Sequence, residues 1–166
     1  EAQKLSKWRE KVGHDAASIL RTAHSMMGIP YMWGGTSPKG VDCSGFVRTV
    51  LYLHDIIIPR NASQQAKVGK RIQPQDDYAD LQPGDLLFFG SKNQDGSPKR
   101  VVHVGISLGG CRFIHSLGYV HTGSFNPLDA DYDEYERNRF LFAARILPYV
   151  NQDTQILTTD NISLYQ

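Results

Sequence analysis

Along the first third of the chain, apolar residues recur with a helical period. Between His14 and Met27 the positions Ile19, Leu20, Ala23, Met26 and Met27 share one side of a 3.6-residue turn. This predicts an amphipathic helix that Gly28 and Pro30 end. A second face runs through Phe46, Val47, Val50, Leu51 and Leu53. It predicts a helix starting at Cys43 with Asp42 as N-cap and His54 near its far end, closed by Pro59, which cannot continue helical hydrogen bonding. A short third helix is expected over Ser63 to Val68. Then the period changes to two. L-Q-P-G-D-L-L-F-F reads as a turn into a strand, and Val101 to Leu108, Arg112 to Ser116, Tyr119 to Phe125 and Phe140 to Leu147 are β-rich runs between turn-forming or polar stretches. Helices first and strands later predict an α+β domain: N-terminal helices packed on an antiparallel sheet of about five to six strands.

The connections carry their own signals. I-P-Y-M-W-G-G-T-S-P-K-G, with two prolines and three glycines around Tyr31 and Trp33, is a shaped loop leading to Cys43. S-K-N-Q-D-G-S-P-K-R shows no periodicity and reads as a polar loop. Residues 1–150 form the expected domain, with its core over about 14–147; residues 151–166, polar with scattered apolar positions, read as a tail extended over the surface.

Composition narrows the partners. The 166 residues, 40% hydrophobic and 21% charged, can bury a real core. Eighteen basic against seventeen acidic residues give a net charge of +1 with no long basic run, so no nucleic acid is expected as partner. No apolar run approaches the roughly 20 residues that cross a bilayer, and the opening E-A-Q-K-L-S-K-W has neither an apolar signal core nor a cleavage site. Two cysteines without a C-x-x-C do not make a disulfide scaffold; they leave a free thiol or one bridge.

Cys43 raises a chemical question, because it stands between an aspartate and a Ser-Gly pair at a helix start. A helix N-terminus carries about half a positive charge, which biases a first-turn thiol toward thiolate. A nucleophile also needs a base within hydrogen-bond reach and a group that orients the base. Of six histidines, His14, His24 and His54 lie on helices or their ends, where solvated or capping roles are usual, and His121 sits in a strand without an obvious partner. In V-V-H-V-G-I the alternation places Val102, Val104 and Ile106 on one face and His103 with Gly105 on the other, as expected of a base on an open cleft. His115 ends the next strand across a Gly109-Gly110 hairpin.

Parity decides whether the two imidazoles meet. A register pairing 103 with 115 puts both on one face, whereas a two-residue Gly109-Gly110 turn would pair 103 with 116 and send His115 to the other side unless a bulge intervened. The odd register or a bulge is predicted. Zinc is a rival use of a Cys and two His, but a closed site wants a fourth ligand and an open one would use bound water in place of the thiolate. No metal is expected.

With these residues in view, P-Y-M-W-G-G-T-S-P-K-G-V-D-C-S-G-F-V, L-Q-P-G-D-L-L-F-F and H-V-G-I-S-L-G-G-C-R-F-I-H together resemble the NlpC-type peptidoglycan cysteine peptidases, papain-like enzymes of bacterial cell walls, in order and spacing over residues 14 to about 147. The resemblance implies a papain-like fold with Cys43 as nucleophile, His103 as base and His115 as the residue orienting it. It places Tyr31 with the Cys43 amide at the oxyanion, and Asp42, Ser44 and Trp33 along the acyl-side cleft, where Asp42 could meet a free amine of a wall peptide or simply cap its helix. The implied reaction is hydrolysis of the bond between γ-D-glutamate and meso-diaminopimelate or L-lysine in peptidoglycan stem peptides, without a cofactor, in the cell envelope or outside the cell. Many relatives carry upstream SH3-like domains; none is in view. The Ser91 to Arg100 loop looks longer than in compact relatives, and Cys111 occupies an unusual hairpin position. Rival readings are a papain-like amidase or acyltransferase on another amide or ester, and a wall-binding module with a dead site. The second is weakened because every catalytic position holds a competent residue.

Overall fold

The computed structural model describes residues 7–9 and 11–162. Residues 1–6, read above for a targeting signal, and 163–166, the last of the expected tail, lie outside the described residues.

Helix α1 (Ala16–Ser25) starts because Asp15, in extended conformation, accepts the Ser18 amide, and it buries Ile19 and Ala23. After it come the short pair β1 (Thr36–Ser37) and β2 (Gly40–Val41), then α2 (Cys43–Tyr52). Helix α2 buries a wide apolar face, with Phe46, Val47, Val50 and Leu51 at most 1% exposed, and leaves Arg48, Thr49 and Tyr52 on its outer side. His54 joins the two helices: one ring nitrogen pairs with Thr22 Oγ1 and the other with the Gly13 carbonyl, so it is a buried tether and not a solvated cap. The third helix is shorter than expected, α3 (Ala62–Gln65), set by a capping box between Asn61 and Gln64.

The strands are β3 (Lys70–Ile72), β4 (Leu86–Lys92), β5 (Pro98–Gly109), β6 (Arg112–Leu117), β7 (Tyr119–Ser124) and, after helix α4 (Glu134–Arg139), β8 (Phe140–Arg145). They form one six-stranded antiparallel sheet in the order β3-β8-β4-β5-β6-β7. The polar run from Ser91 to Arg100 is not a loop throughout. Its two ends pair as strands, Ser91 with Arg100 and Lys92 with Pro98, leaving a tip at Asn93 to Ser97. Cross-strand pairing supplied the order that periodicity lacked.

Both faces of the sheet are covered. Phe88, Val104, Ile106, Ile114 and Phe142 pack toward α2, while Leu87, Phe89, Phe113, Phe125 and Phe140 form a second apolar layer on the other side. The unbroken L-L-F-F of β4 follows from this, since consecutive residues enter opposite layers. Each such large side chain contributes on the order of 1.5–3 kcal/mol by leaving water. The segment read as a surface tail is tied down among residues 151–162. Ile156 is fully buried, Leu157 bridges Ile57, and Asp55 accepts from the Thr159 amide and hydroxyl. No helix among the described residues is long and apolar enough to cross a membrane.

Candidate active site

Asp42 organises the start of α2. Its Oδ1 accepts the Gly45 amide at 2.6 Å, as an N-cap should, and its Oδ2 accepts the Gly34 amide at 3.0 Å, which ties the W-G-G loop to the helix. Arg60 closes the arrangement: Nη2 donates to Asp42 Oδ2 at 2.6 Å, and Nη1 donates to Asp42 Oδ1 and Ser44 Oγ, each at 3.0 Å. Burial pushes the Asp42 carboxyl up, but Arg60 and the Gly45 amide outweigh it and hold the group below the usual carboxylate range. Both Asp42 oxygens thus have partners, and Ser44, whose hydroxyl also donates to Asp42 Oδ1, is engaged in the same network.

Cys43 sits in the first turn, 7% exposed, with its sulfur hydrogen-bonded by the Val104 amide. The expectation of an acidic thiol does not hold in this resting arrangement. Burial raises the Cys43 pKa, the Asp42 charge adds to that, and the Val104, Ser44 and Cys43 amides oppose it without prevailing. Activation has to come from a base that takes the proton. Cys111 lies in the β5–β6 turn with its sulfur near the Asp77 carbonyl, and both cysteines are free.

The imidazoles do meet. His103 Nε2 and His115 Nδ1 are 2.9 Å apart, on one face of the sheet. The register differs by two from the one predicted: Gly105, not His103, stands opposite His115. The turn pairs Gly109 with Arg112, a parity that alone would send His115 to the far face, and a bulge at Leu108 restores it, so that Ser107 pairs with Phe113 and Gly105 with His115. Nor is the face an open cleft. His103 is 4% exposed and His115 fully buried, set among Phe89 and Phe113 of the second apolar layer. Burial lowers His103 to about 3 and His115 to about 2, so both rings are neutral at rest. His121, partnerless in the sequence, is directly opposite His115, ring centroids 4.4 Å apart. The sulfur and the imidazoles share no hydrogen bond among the described residues; what links them is the main chain, since the Val104 amide on the sulfur follows His103 directly.

A cleft of about 550 Å³ opens over Cys43, lined by Tyr31, Trp33, Arg60 and Arg100 among others. Trp33 is 88% exposed, so it walls the cleft and is not packing. Tyr31 is held in place by its amide, which donates to the Gly118 carbonyl at 2.8 Å; burial, then the Cys43 and Asp42 charges, raise its hydroxyl pKa and keep it a proton donor. The two arginines were missed in the sequence: Arg60 follows Pro59 in a segment read only as a helix stop, and Arg100 lay in the supposed loop. Glu136 was missed too. It is fully buried on α4, with its Oε1 3.9 Å from His103 Nε2. No pattern in E-Y-E-R-N-R points to it; only the chain's return brings it there.

His103, His115 and Glu136 have donor atoms within 4.8 Å of one another, a composition that a metal could use. His103 Nε2 and His115 Nδ1 are, however, hydrogen-bonded to each other, while His115 Nε2 has no hydrogen-bond partner among the described residues.

Comparison with known proteins agrees with this architecture. The model of the NlpC/P60 family matches residues 28–140. The gamma-D-glutamyl-L-lysine dipeptidyl-peptidase of Bacillus subtilis (strain 168) is 42% identical over 101 residues, 61% of this chain and 32% of that one, so the chain spans about a third of that relative's length. The probable endopeptidase NlpC of Escherichia coli (strain K12) is 43% identical over 101 residues, 60% of each. Among solved structures, the NlpC/p60 domain of the peptidoglycan hydrolase SagA superposes with a TM-score of 0.62 at 32% identity, covering 80% of this chain and 99% of that one. An NlpC/P60 family protein from Bacillus cereus ATCC 10987 gives 0.68 at 31% identity, covering 81% and 41%. The fold is α+β and papain-like, and by a family match across residues 28–140 the chain belongs to the NlpC/P60 family.

Proposed function

We propose that this protein is a cysteine peptidase that hydrolyses the γ-D-glutamyl–diamino acid bond of peptidoglycan stem peptides, with Cys43 as nucleophile, His103 as base and His115 as the orienting residue. The observation that carries the reading is the 2.9 Å His103–His115 hydrogen bond on the strand whose next amide holds the Cys43 sulfur. With Nε2–H of His103 donated to His115 Nδ1, Nδ1 of His103 is left with a lone pair, the form a base requires. His103 takes the thiol proton as Cys43 attacks the γ-carbonyl carbon. The tetrahedral oxyanion is met by the Cys43 amide and the Tyr31 hydroxyl. His103 then gives its proton to the departing amine, leaving an acyl-enzyme, and afterwards takes a proton from the water that releases it. The names of the Bacillus subtilis and Escherichia coli relatives support this bond and this class of enzyme. Arg100, which lines the cleft, suits the carboxylates that stem peptides carry near the scissile bond, whereas the Arg60 guanidinium is paired with Asp42.

The test compares muropeptides with and without the γ-D-glutamyl link, using reduced enzyme. Cleavage confined to the linked set, and lost in Cys43→Ala with the circular dichroism spectrum unchanged, is the expected result. Persistent hydrolysis in Cys43→Ala removes the nucleophile assignment. Cleavage of unrelated amides alone favours the amidase reading.

A further inference from the structure

One ionisable group beside the imidazole pair has no part in the relay described so far. Glu136 is fully buried, and neither of its carboxylate oxygens takes a hydrogen bond from the described residues. Its Oε1 lies 3.9 Å from His103 Nε2 and 3.8 Å from Arg139 Nη1. Buried carboxylates without partners are costly, and natural chains keep them where the charge is used. The groups facing it are Asp133 and Arg139 from its own segment, His103 from β5 and His115 from β6, with His121 of β7 behind His115; Asp133 Oδ2 in turn lies 3.9 Å from His115 Nε2. β4 contributes Phe89 beside His103 and, at its far end, Lys92, whose Nζ donates to the Asn138 carbonyl of α4 at 3.3 Å.

We propose that Glu136 is a positioning residue of the relay: its buried carboxylate, 3.9 Å from His103 Nε2, is the counter-ion of the imidazolium that forms when His103 takes the Cys43 proton. The inference rests on the Cys43–His103 reading of the site. The proton moves from sulfur to His103 Nδ1, giving thiolate and imidazolium, while Glu136 in its ionised form balances the charge at Nε2–H and forms no bond. When His103 passes the proton to the leaving amine, the imidazole is neutral again and Glu136 is unchanged. Burial holds Glu136 protonated up to about pH 7, above the ordinary carboxylate range, and holds His103 neutral down to about 3. Ionising either one alone in this apolar layer is unfavourable; each lowers the cost of the other. Thiolate formation should therefore rise as pH passes through about 7, where the Glu136 carboxyl ionises.

The experiment needs no substrate. The rate of alkylation of Cys43 by iodoacetamide, separated from Cys111 by mass spectrometry, is measured from pH 5 to 9 in the wild type, Glu136→Gln, Glu136→Asp, Arg139→Gln and His103→Ala. In Glu136→Gln the rate at pH 7 should fall at least tenfold and the limb near pH 7 should vanish, with Glu136→Asp keeping part of both. A wild-type rate and profile in Glu136→Gln overturns the proposal, and so does a uniform loss that leaves the limb in place. Should Glu136→Gln fail to fold, Arg139→Gln decides. Arg139 lowers the Glu136 pKa, so its removal should move the limb to higher pH, and an unmoved limb overturns the proposal. His103→Ala separates the two ideas. If it too alkylates like the wild type, the site reading fails; if it collapses while Glu136→Gln does not, only the inference fails.

Discussion

Gly105 makes room for a ring. In register it faces His115, and a Cβ added there would lie 3.1 Å from His115 Cβ and 3.1 Å from the Ile114 carbonyl oxygen. Either the imidazole or the β6 backbone has to give by a few tenths of an ångström. Misplacement of a catalytic group by about 1 Å costs about 100-fold in rate, so in the roles proposed for His103 and His115 a smaller shift along their hydrogen bond is felt chiefly in kcat. Gly105→Ala is therefore expected to lower kcat about tenfold with KM within about twofold; steady-state kinetics on a γ-D-glutamyl peptide checks this, and an unchanged kcat would mean that the His115 position is not rate-determining. At this scale the geometry was partly legible: D-C-S-G placed Cys43 at a helix start, and H-V-G put the bare Gly105 on the face of His103. The charges were not. The acidic thiol expected from the helix terminus gave way to burial, which sequence spacing does not report, and Arg60 and Glu136 become site residues only when distant segments return to it.

The element that the site depends on most is the first turn of α2. Gly45 lets that turn approach the W-G-G loop: a Cβ at position 45 would lie 2.0 Å from the Gly35 carbonyl oxygen, the same oxygen that accepts the Asp42 amide at 3.2 Å. Backbone cannot swing away as a flexible side chain can, so Gly45→Ala should separate loop from helix and destabilise the fold by roughly 1–3 kcal/mol, the usual range for overpacking. Urea unfolding measures this directly, and the displaced Tyr31 and Cys43 amide should depress turnover beyond the loss of folded protein. The helix itself was visible from its apolar face and its Asp42 cap. The β5–β6 hairpin was visible only as an alternative, because parity depends on one bulged residue, Leu108, that no apolar pattern marks. β3 and α4, both short and polar, carried too few apolar positions to declare a period.

For the whole molecule, burying three ionisable groups in one layer ties stability to pH. His103 and His115 are depressed to about 3 and about 2, whereas in the unfolded chain they titrate near about 6.5. Below about pH 6.5 the unfolded chain thus binds protons that the folded one refuses, and stability falls as pH falls, by up to about 1.4 kcal/mol per pH unit for each imidazole. Glu136 acts in the opposite sense. Raised to about 7 when folded, it loses its proton in the unfolded chain from about 4.5 upward, so it costs stability as pH rises from about 4.5 to about 7. In that window the imidazole contributions exceed the carboxyl one, two groups against one. The wild type is therefore expected to lose urea resistance steadily on acidification below about pH 6.5. Glu136→Gln removes the opposing term, so its unfolding midpoint should fall more steeply with acid between about pH 6.5 and 4.5 than that of the wild type. Parallel midpoint curves for the two proteins would mean that Glu136 titrates normally in the fold, and the apolar layer around the relay would then be wetter than its packing implies.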